Sequence, residues 1–368
     1  MKILLIEPYY TGSHKQWADG YKKHSSHEIR ILSMKGQFWK WRMHGGAVTM
    51  AIEFNKMNWC PDLILTTDML DLTTFLSLTR KKTDDIQTAI YFHENQISYP
   101  WSPNDRDIKQ KRDSHYGFIN YSSALASDRI LFNSSFHMNS FLNSLPIFLR
   151  QFPDHQELDT INSIRDKAKL LYLGMDLKIF DRYKSSHKGV PLILWNHRWE
   201  YDKNPELFFK VLNQIKDDGH NYGLIVLGEN FSQSPTIFEK SKDSLKDKIV
   251  HWGYAKSFDE YAKWLWMADI LPVTSNQEFF GASVMEAIYC RTWPILPNSL
   301  AYPELIPQEH HLDVLYKNEN ELYKKVCNAL KSNKKLKRTA LGTIAQKFDW
   351  NKMAPLYDKI LGDRDMNI

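Results

Sequence analysis

Glu278 and Glu286, with seven residues between them, bracket the run Phe279-Phe280-Gly281-Ala282-Ser283-Val284-Met285. The second glutamate lies in Ser283–Cys290, a stretch otherwise nearly apolar. Glutamate is almost never fully buried unless paired, and a buried, unpaired carboxylate pays for desolvation or gives up its charge. Glu286 therefore needs a partner, either a ligand rich in hydroxyls or an arginine from a neighbouring strand. Gly281, just ahead of the apolar helix, leaves backbone N–H groups bare at the helix start, where an anion is stabilised. Carboxylates for hydroxyls beside amides for phosphate describe a sugar-nucleotide site. A core helix with a paired glutamate describes the same residues.

Three more polar runs follow apolar ones. In Trp195-Asn196-His197-Arg198-Trp199-Glu200-Tyr201-Asp202-Lys203-Asn204-Pro205, Arg198 and Lys203 can straddle a diphosphate; Glu200 and Asp202 would equally balance them as surface charge. In Tyr91-Phe92-His93-Glu94-Asn95-Gln96, His93 can bond a sugar hydroxyl or sit beside a reacting carbon, or simply close a strand. Tyr9-Tyr10-Thr11-Gly12-Ser13-His14 places a glycine where backbone can approach a ligand, and alone reads as an ordinary strand-to-helix turn. HExxH, paired CxxC, GxSxG, Walker and GxGxxG patterns are absent from the sequence. Asp105-Arg106-Asp107 is mixed in sign and reads as solvated surface, so no metal is demanded.

These runs need a scaffold. Strands are predicted over Lys2–Ile6, Ile29–Leu32, Leu63–Thr66, Thr88–Phe92, Arg129–Phe132 and Lys169–Tyr172, then over Leu192–Trp195, Gly223–Leu227, Ile249–Trp252, Ile270–Pro272 and Thr292–Leu296. Helices are predicted over Lys15–Lys23, Ser114–Ala126, Pro205–Asp217, Phe258–Met267 and Ser283–Tyr289. Asn204 as cap and Pro205 in the first turn fit the start of the third. The alternation argues for an α/β protein with parallel sheets covered by helices. The pattern restarts near Pro191, after the polar Phe180–Val190. We therefore expect two Rossmann-like, doubly wound domains facing a cleft, with ligands beyond the carboxyl ends of the strands.

The chain has 368 residues, 43% hydrophobic and 25% charged, which suits two soluble globular domains. Three scattered cysteines, Cys60, Cys290 and Cys327, form no metal or disulfide framework and fit a reducing, cytoplasmic setting. The N-terminal apolar run is too short for a signal peptide or membrane span. The net charge of +5 is too modest to argue for nucleic acid. Between Glu28 and Glu53, however, Arg30, Lys35, Lys40 and Arg42 meet no acid, and Trp39 and Trp41 lie among them. Lys35–Arg42 is thus a candidate RNA contact, an amphipathic surface element, or a membrane-interfacial patch.

Taken in order, the motifs resemble the retaining glycosyltransferases of the GT-B architecture. Glu278 and Glu286 stand in that group's E-x7-E arrangement, and Arg198 and Lys203 at its Arg-x4-Lys spacing. Leu173-Gly174-Met175-Asp176 resembles the element that ends its first domain. Phe348-Asp349-Trp350 with Ala354 and Tyr357 resembles its returning helix. The resemblance implies an N-terminal acceptor-binding domain over 1–176, a linker at 177–190, a nucleotide-sugar domain over 191–347, and a helix over 348–368 that crosses back. A narrower similarity, to the tRNA-queuosine α-mannosyltransferases, rests on Gly12-Ser13-His14-Lys15-Gln16, Trp39-Lys40-Trp41-Arg42, Phe92-His93-Glu94-Asn95-Gln96, Phe132-Asn133-Ser134, His197-Arg198-Trp199-Glu200 with Asp202-Lys203, and His251-Trp252-Gly253-Tyr254.

What this implies is transfer of mannose from GDP-mannose to queuosine at the wobble position of an aspartate tRNA, with no metal or other cofactor and no stable membrane insertion. The implied catalytic residues are His93, Arg198, Lys203 and Glu278. Donor contacts fall to Gly12, Ser13, Arg198, Lys203, Gly253, Tyr254, Glu278, Phe280, Gly281, Ala282 and Glu286. Acceptor contacts fall to His14, Lys35, Trp39, Lys40, Trp41, Arg42, Asn95 and Gln96. The alternatives are a GT-B enzyme for a lipid or small-molecule acceptor, and a non-catalytic sugar-nucleotide or RNA-binding protein.

Overall fold

A computed structural model describes residues 1–102, 105, 107, 114–228, 235–336 and 341–363. The chain divides into two compact units, Met1–Asp176 with Trp350–Ile368, and Leu177–Asp349.

In the first unit, β1 (Lys2–Tyr10), β2 (Glu28–Lys35), β3 (Leu63–Thr67), β4 (Gln87–Phe92), β5 (Arg129–Phe132) and β6 (Ala168–Leu170) form one sheet in the order β2-β1-β3-β4-β5-β6. Every pairing is parallel. In the second, β7 (Leu192–Trp195), β8 (Gly223–Val226), β9 (Ile249–Trp252), β10 (Ile270–Pro272), β11 (Trp293–Pro297) and β12 (Leu315–Tyr316) run in the order β12-β11-β10-β7-β8-β9, again all parallel. Parallel pairing needs a crossover between strands, and helices on both faces bury them. That is why β3, β5, β7 and β11 are buried at every residue. It also gathers all post-strand loops at one edge of each sheet. The winding reverses between β1 and β3 in the first sheet and between β7 and β10 in the second; ligands of such sheets bind at these switch points.

Asn204 caps the helix Pro205–Asp217 as expected, its side chain accepting from the Leu207 N–H at 3.2 Å. Four expectations need correction. The segment Lys35–Arg42 is not one element: it holds the end of β2, a turn, and the first turn of the helix Trp39–Lys56, which the sequence did not announce. That helix is entered through Phe38 in the left-handed region (φ 54°) with no side-chain cap, so the usual start signal is missing. The strand β12, of only two residues, was also unanticipated. The linker does not run over 177–190: Lys178–Tyr183 is a 3-10 helix of the second unit. Phe180 is buried there, with its carbonyl accepting from Trp266 Nε1 at 2.8 Å and its ring 5.0 Å from Phe258. The final helix starts at Trp350; Phe348 and Asp349 stay with the second unit. Residues 364–368 of the expected returning helix lie outside the described residues.

The helix Trp350–Gly362 completes the first unit. The Trp350 N–H donates to the Met175 carbonyl at 2.9 Å. Its ring lies so close to two glycines that a Cβ on Gly20 would stand 2.0 Å from Trp350 Nε1, and one on Gly174 2.3 Å from the ring. The Tyr357 hydroxyl accepts from Trp17 Nε1 at 3.1 Å and donates to the Tyr172 carbonyl at 2.9 Å. Arg129 Nη1 holds the helix end by donating to the carbonyls of Ile360 and Leu361 at 3.1 and 2.7 Å. A mid-helix Gly→Ala change ordinarily stabilises by about 1 kcal/mol. Gly20→Ala should instead destabilise by about 1–3 kcal/mol through overpacking against Trp350. Urea unfolding checks this, and a neutral or stabilised variant would disprove the packing.

Candidate active site

In the second unit the loop after β7 and the loop after β10 meet at the switch point. Hydrogen bonds stitch them together: Asn276 N–H to the Asp202 carbonyl at 2.8 Å, Thr274 Oγ1 to the Lys203 carbonyl at 2.9 Å, and Asn196 Nδ2 to the Ser283 carbonyl at 2.8 Å. Lys203 is buried in this seam. Its Nζ lies 3.1 Å from Asp202, 3.2 Å from Glu278 and 3.0 Å from the Gln277 carbonyl. Burial opposes the charge on Lys203, but Glu278 and Asp202 outweigh it and hold its pKa above the usual lysine value. Burial likewise pushes Glu278 up, and Lys203 more than reverses this, so Glu278 is ionised. Arg198 is different. It is exposed and lies 3.3 Å from Glu200. The expected pair of diphosphate clamps is thus one structural cation locked between two carboxylates and one cation at the surface.

Beside them the helix Ala282–Tyr289 begins at Gly281, which takes φ 84° and offers no side-chain cap; the first turn contains no acid. The N–H groups at its start are therefore free for an anion. The side chain that the fold sets against Glu286 is not the expected arginine but a tyrosine. Tyr261, from the helix Phe258–Met267, donates its hydroxyl to Glu286 Oε2 at 2.6 Å. Burial pushes the Glu286 carboxyl up to about 7, with the Tyr261 bond pulling the other way. Tyr254 is 70% exposed and follows Gly253, at the end of β9. Phe280 is buried, its ring 5.0 Å from that of Phe348.

At the first unit's switch point, Glu7 of β1 is fully buried and its Oε2 lies 2.9 Å from His14 Nδ1, in the helix Gly12–His24. Burial alone would lower the His14 pKa; Glu7 overrides it and raises it to about 9, leaving an imidazolium. His93 follows β4, its ring centroid 4.3 Å from that of His14. Burial and the neighbouring His14 hold it well below the usual histidine value, so it is neutral. Side-chain donor atoms of Glu7, His14 and His93 lie within 4.8 Å of one another. A cation could use that spacing only by displacing the proton His14 shares with Glu7. Gly12 and Ser13, at the helix start, are exposed.

The expected acceptor residues divide. Asn95 is fully buried; its Oδ1 accepts from the N–H groups of Ile97 and Ser98 at 3.1 and 2.8 Å, so it builds the loop rather than meeting a ligand. Gln96 donates to Glu94 at 3.0 Å. Lys40 is held by Asp105 and Asp107 at 2.6 and 2.5 Å, which also overturns the reading of those aspartates as mere solvated surface. Trp39 packs 5.2 Å from Tyr116 and 6.5 Å from Trp101. Trp41 remains 58% exposed, Lys35 is exposed, and Arg42 reaches back to the Lys35 carbonyl at 3.1 Å. Sequence reasoning gave no role to His197, Tyr261, Glu7 and Asp68, and it named Asp202 only as balancing charge, which its contact with Lys203 makes it. His197 is buried, lies 3.3 Å from Ser283 Oγ through Nδ1, and is held neutral, lowered to about 4 by burial and by Lys203. Its place between Asn196 and Arg198 was the available signal.

Two doubly wound parallel units carrying this charged switch point define a glycosyltransferase of the GT-B fold. Sucrose-phosphate synthase from Thermosynechococcus elongatus is similar in structure with a TM-score of 0.70, covering 98% of each chain at 14% identity. Anabaena HepE in complex with UDP and glucose gives 0.66, covering 99% of this chain and 100% of its own at 13% identity. At such identities the likeness is one of fold. Residues 2–175 match the family model described as tRNA-queuosine alpha-mannosyltransferase N-terminal, and residues 178–348 match glycosyl transferases group 1. The tRNA-queuosine alpha-mannosyltransferase of Drosophila melanogaster is 35% identical over 339 residues, which is 89% of this chain and 86% of that one. The chain belongs to the tRNA-queuosine alpha-mannosyltransferase family.

Removing one partner of a buried ion pair leaves the others uncompensated. Lys203→Met should therefore destabilise the protein by about 3–5 kcal/mol, and adding Glu278→Gln should restore part of it; strict additivity in denaturant melts would refute the pairing. Glu286 gives a pH signature. Its native pKa, about 7, lies above the value of 4.5 it starts from, so the native state holds an extra proton between the two. Stability should fall as pH rises through that window and level off above it. Glu286→Gln should lack this fall, so relative to the parent it gains with rising pH, by at most about 3 kcal/mol. Parallel melts from about pH 4 to about pH 8, which bracket that window, would expose the difference.

Proposed function

We propose that the protein transfers mannose from GDP-mannose to the cyclopentenediol of queuosine at the wobble position of aspartate tRNA, with retention of configuration. The identity to the Drosophila enzyme across both units carries the reading, and the ionised Glu278 beside Lys203, Arg198 and bare helix amides supports it.

Breaking a glycosyl–phosphate bond leaves negative charge on the diphosphate and positive charge on the sugar. Fixed positive groups at the leaving oxygens stabilise that state most. In this reading Arg198 and the amides at Gly281 and Ala282 meet the diphosphate. Lys203 supplies field from within the protein and fixes Glu278, which accepts hydroxyls of the donor sugar. Glu286 takes the ribose diol, and Gly253 and Tyr254 border the base. His93 lies at the sugar's reactive face. The leaving phosphate accepts the acceptor's proton on the face it vacates, so no enzymic nucleophile is needed, unlike the paired carboxylates of retaining glycosidases. The reading calls for no metal or other cofactor.

On the acceptor side, Trp41 stacks on an unpaired anticodon base while Lys35 and Arg42 meet phosphates. Such a substrate places the enzyme in the cytoplasm. Among the described residues no helix is long and apolar enough to cross a membrane.

Incubation with queuosine-containing tRNA and GDP-mannose, followed by nucleoside mass spectrometry, should show a hexose on queuosine. No addition to tRNA, with transfer to a lipid instead, would overturn the acceptor. Arg198→Ala is the cleaner mechanistic probe because Arg198 is exposed, whereas Lys203 is structural. Turnover should drop ~10²–10³-fold with an unchanged melting temperature.

A further inference from the structure

The switch point of the first unit holds more acid than the reaction scheme uses. Glu7 ends the regular part of β1, Asp68 directly follows β3, and Glu94 directly follows His93 after β4. These three carboxyl side chains face one imidazolium, His14, while His93 is neutral. Asp68 is fully buried. The fold uses one of its oxygens, Oδ1, which accepts the His93 N–H at 2.8 Å and so fixes the carboxyl in place. Its other oxygen, Oδ2, is buried with no hydrogen-bond partner, and so is His93 Nε2. Buried polar atoms in native proteins are nearly always satisfied, and exceptions call for a specific cause.

A second feature points the same way. Asn120 Nδ2 donates to the Asp68 carbonyl at 3.0 Å, and Asn120 Oδ1 accepts from the Gln96 N–H at 2.7 Å. The helix Ser114–Ala126 thus braces both loops from behind. The backbone around Asp68 is fully employed while half of its carboxyl is left vacant. That arrangement suits a ligand better than a packing role.

We propose that Asp68, with Glu94 and the Glu7–His14 pair, forms a subsite for an acceptor group that carries vicinal hydroxyls next to a protonated amine. This rests on reading the chain as a queuosine-modifying enzyme, since queuosine joins its cyclopentenediol to the base through a secondary amine. The Asp68 Oδ2 takes the ammonium or a hydroxyl proton, and a diol oxygen takes or gives a hydrogen bond at His93 Nε2. An excess of carboxyl groups favours a cation and disfavours an anion in this position. Burial pushes the Asp68 carboxyl up to about 8, with His14 opposing, so the empty subsite holds its proton in place of the cation.

The test compares the parent protein with Asp68→Asn and Glu94→Gln, the former keeping an oxygen for the His93 N–H. Calorimetry with free queuosine nucleoside, and with its N-acetylated form, reads the subsite without turnover. The parent should bind the acetylated form at least about tenfold more weakly, as expected for loss of a charge-assisted hydrogen bond, and this discrimination should collapse in Asp68→Asn. With queuosine-containing tRNA, the acceptor KM should rise by a similar factor while the donor KM does not. Unchanged discrimination and acceptor KM in both variants would overturn the subsite and leave Asp68 a structural carboxyl with a bound water. If Asp68→Asn fails to fold, Glu94→Gln alone decides by the same readouts. Failure of the parent to modify the tRNA, with its amine-dependent binding intact, would sink the assigned reaction and not the subsite.

Discussion

Parallel strand pairing is the constraint on which the rest depends. Each crossover returns the chain to the same edge, so every loop after a strand opens on one side. Because the winding reverses once in each sheet, the chain leaves to opposite sides beyond two neighbouring strands and opens a gap there: after β1 and β3 in one unit, and after β7 and β10 in the other. The polar side chains then follow. Glu7, His14 and Asp68 collect at the first gap, and Arg198, Lys203, Glu278 and the start of the helix Ala282–Tyr289 at the second.

The two gaps treat buried charge differently. In the second unit the charges neutralise one another: Lys203 touches Asp202 and Glu278, and the loops carrying them are tied together by backbone and side-chain hydrogen bonds. Such a knot costs desolvation but fixes geometry. At the first unit's switch point the ion pair among the described residues is Glu7 with His14. Asp68 resolves its own burial by keeping a proton, and His93 by staying uncharged.

Much of this was legible in the sequence where burial wrote it in runs. Arg129–Phe132, Leu192–Trp195 and Ile270–Pro272 are strands at their expected bounds because strands buried on both faces read as continuous runs, and Ile249–Trp252 keeps its bounds as a partly buried edge strand. The Trp39–Lys56 helix was not legible, because a left-handed phenylalanine opens it and Gly45-Gly46 interrupt its pattern. Phe180 hid in a polar stretch that looked like a linker. For the site, spacing revealed Arg198, Lys203 and Glu278 but not their very different burial. Asn95 was expected among the ligand contacts, whereas its side chain closes its own turn onto Ile97 and Ser98, which polarity alone does not reveal. Tyr261 was invisible as the partner of Glu286, since only the fold brings the two helices together.

The helix Trp350–Gly362 belongs to the unit that begins the chain, and the whole second unit lies between. Synthesis runs from the N-terminus, so the first sheet leaves the ribosome long before the tryptophan that fills the space over Gly20 and Gly174. Until then the apolar faces of Trp17, Tyr21 and Tyr91 lack their cover. The second unit, being contiguous, has all its parts first. The order of completion is therefore the reverse of the order of synthesis, and the nascent chain carries an unfinished hydrophobic surface for the time it takes to translate the entire intervening domain.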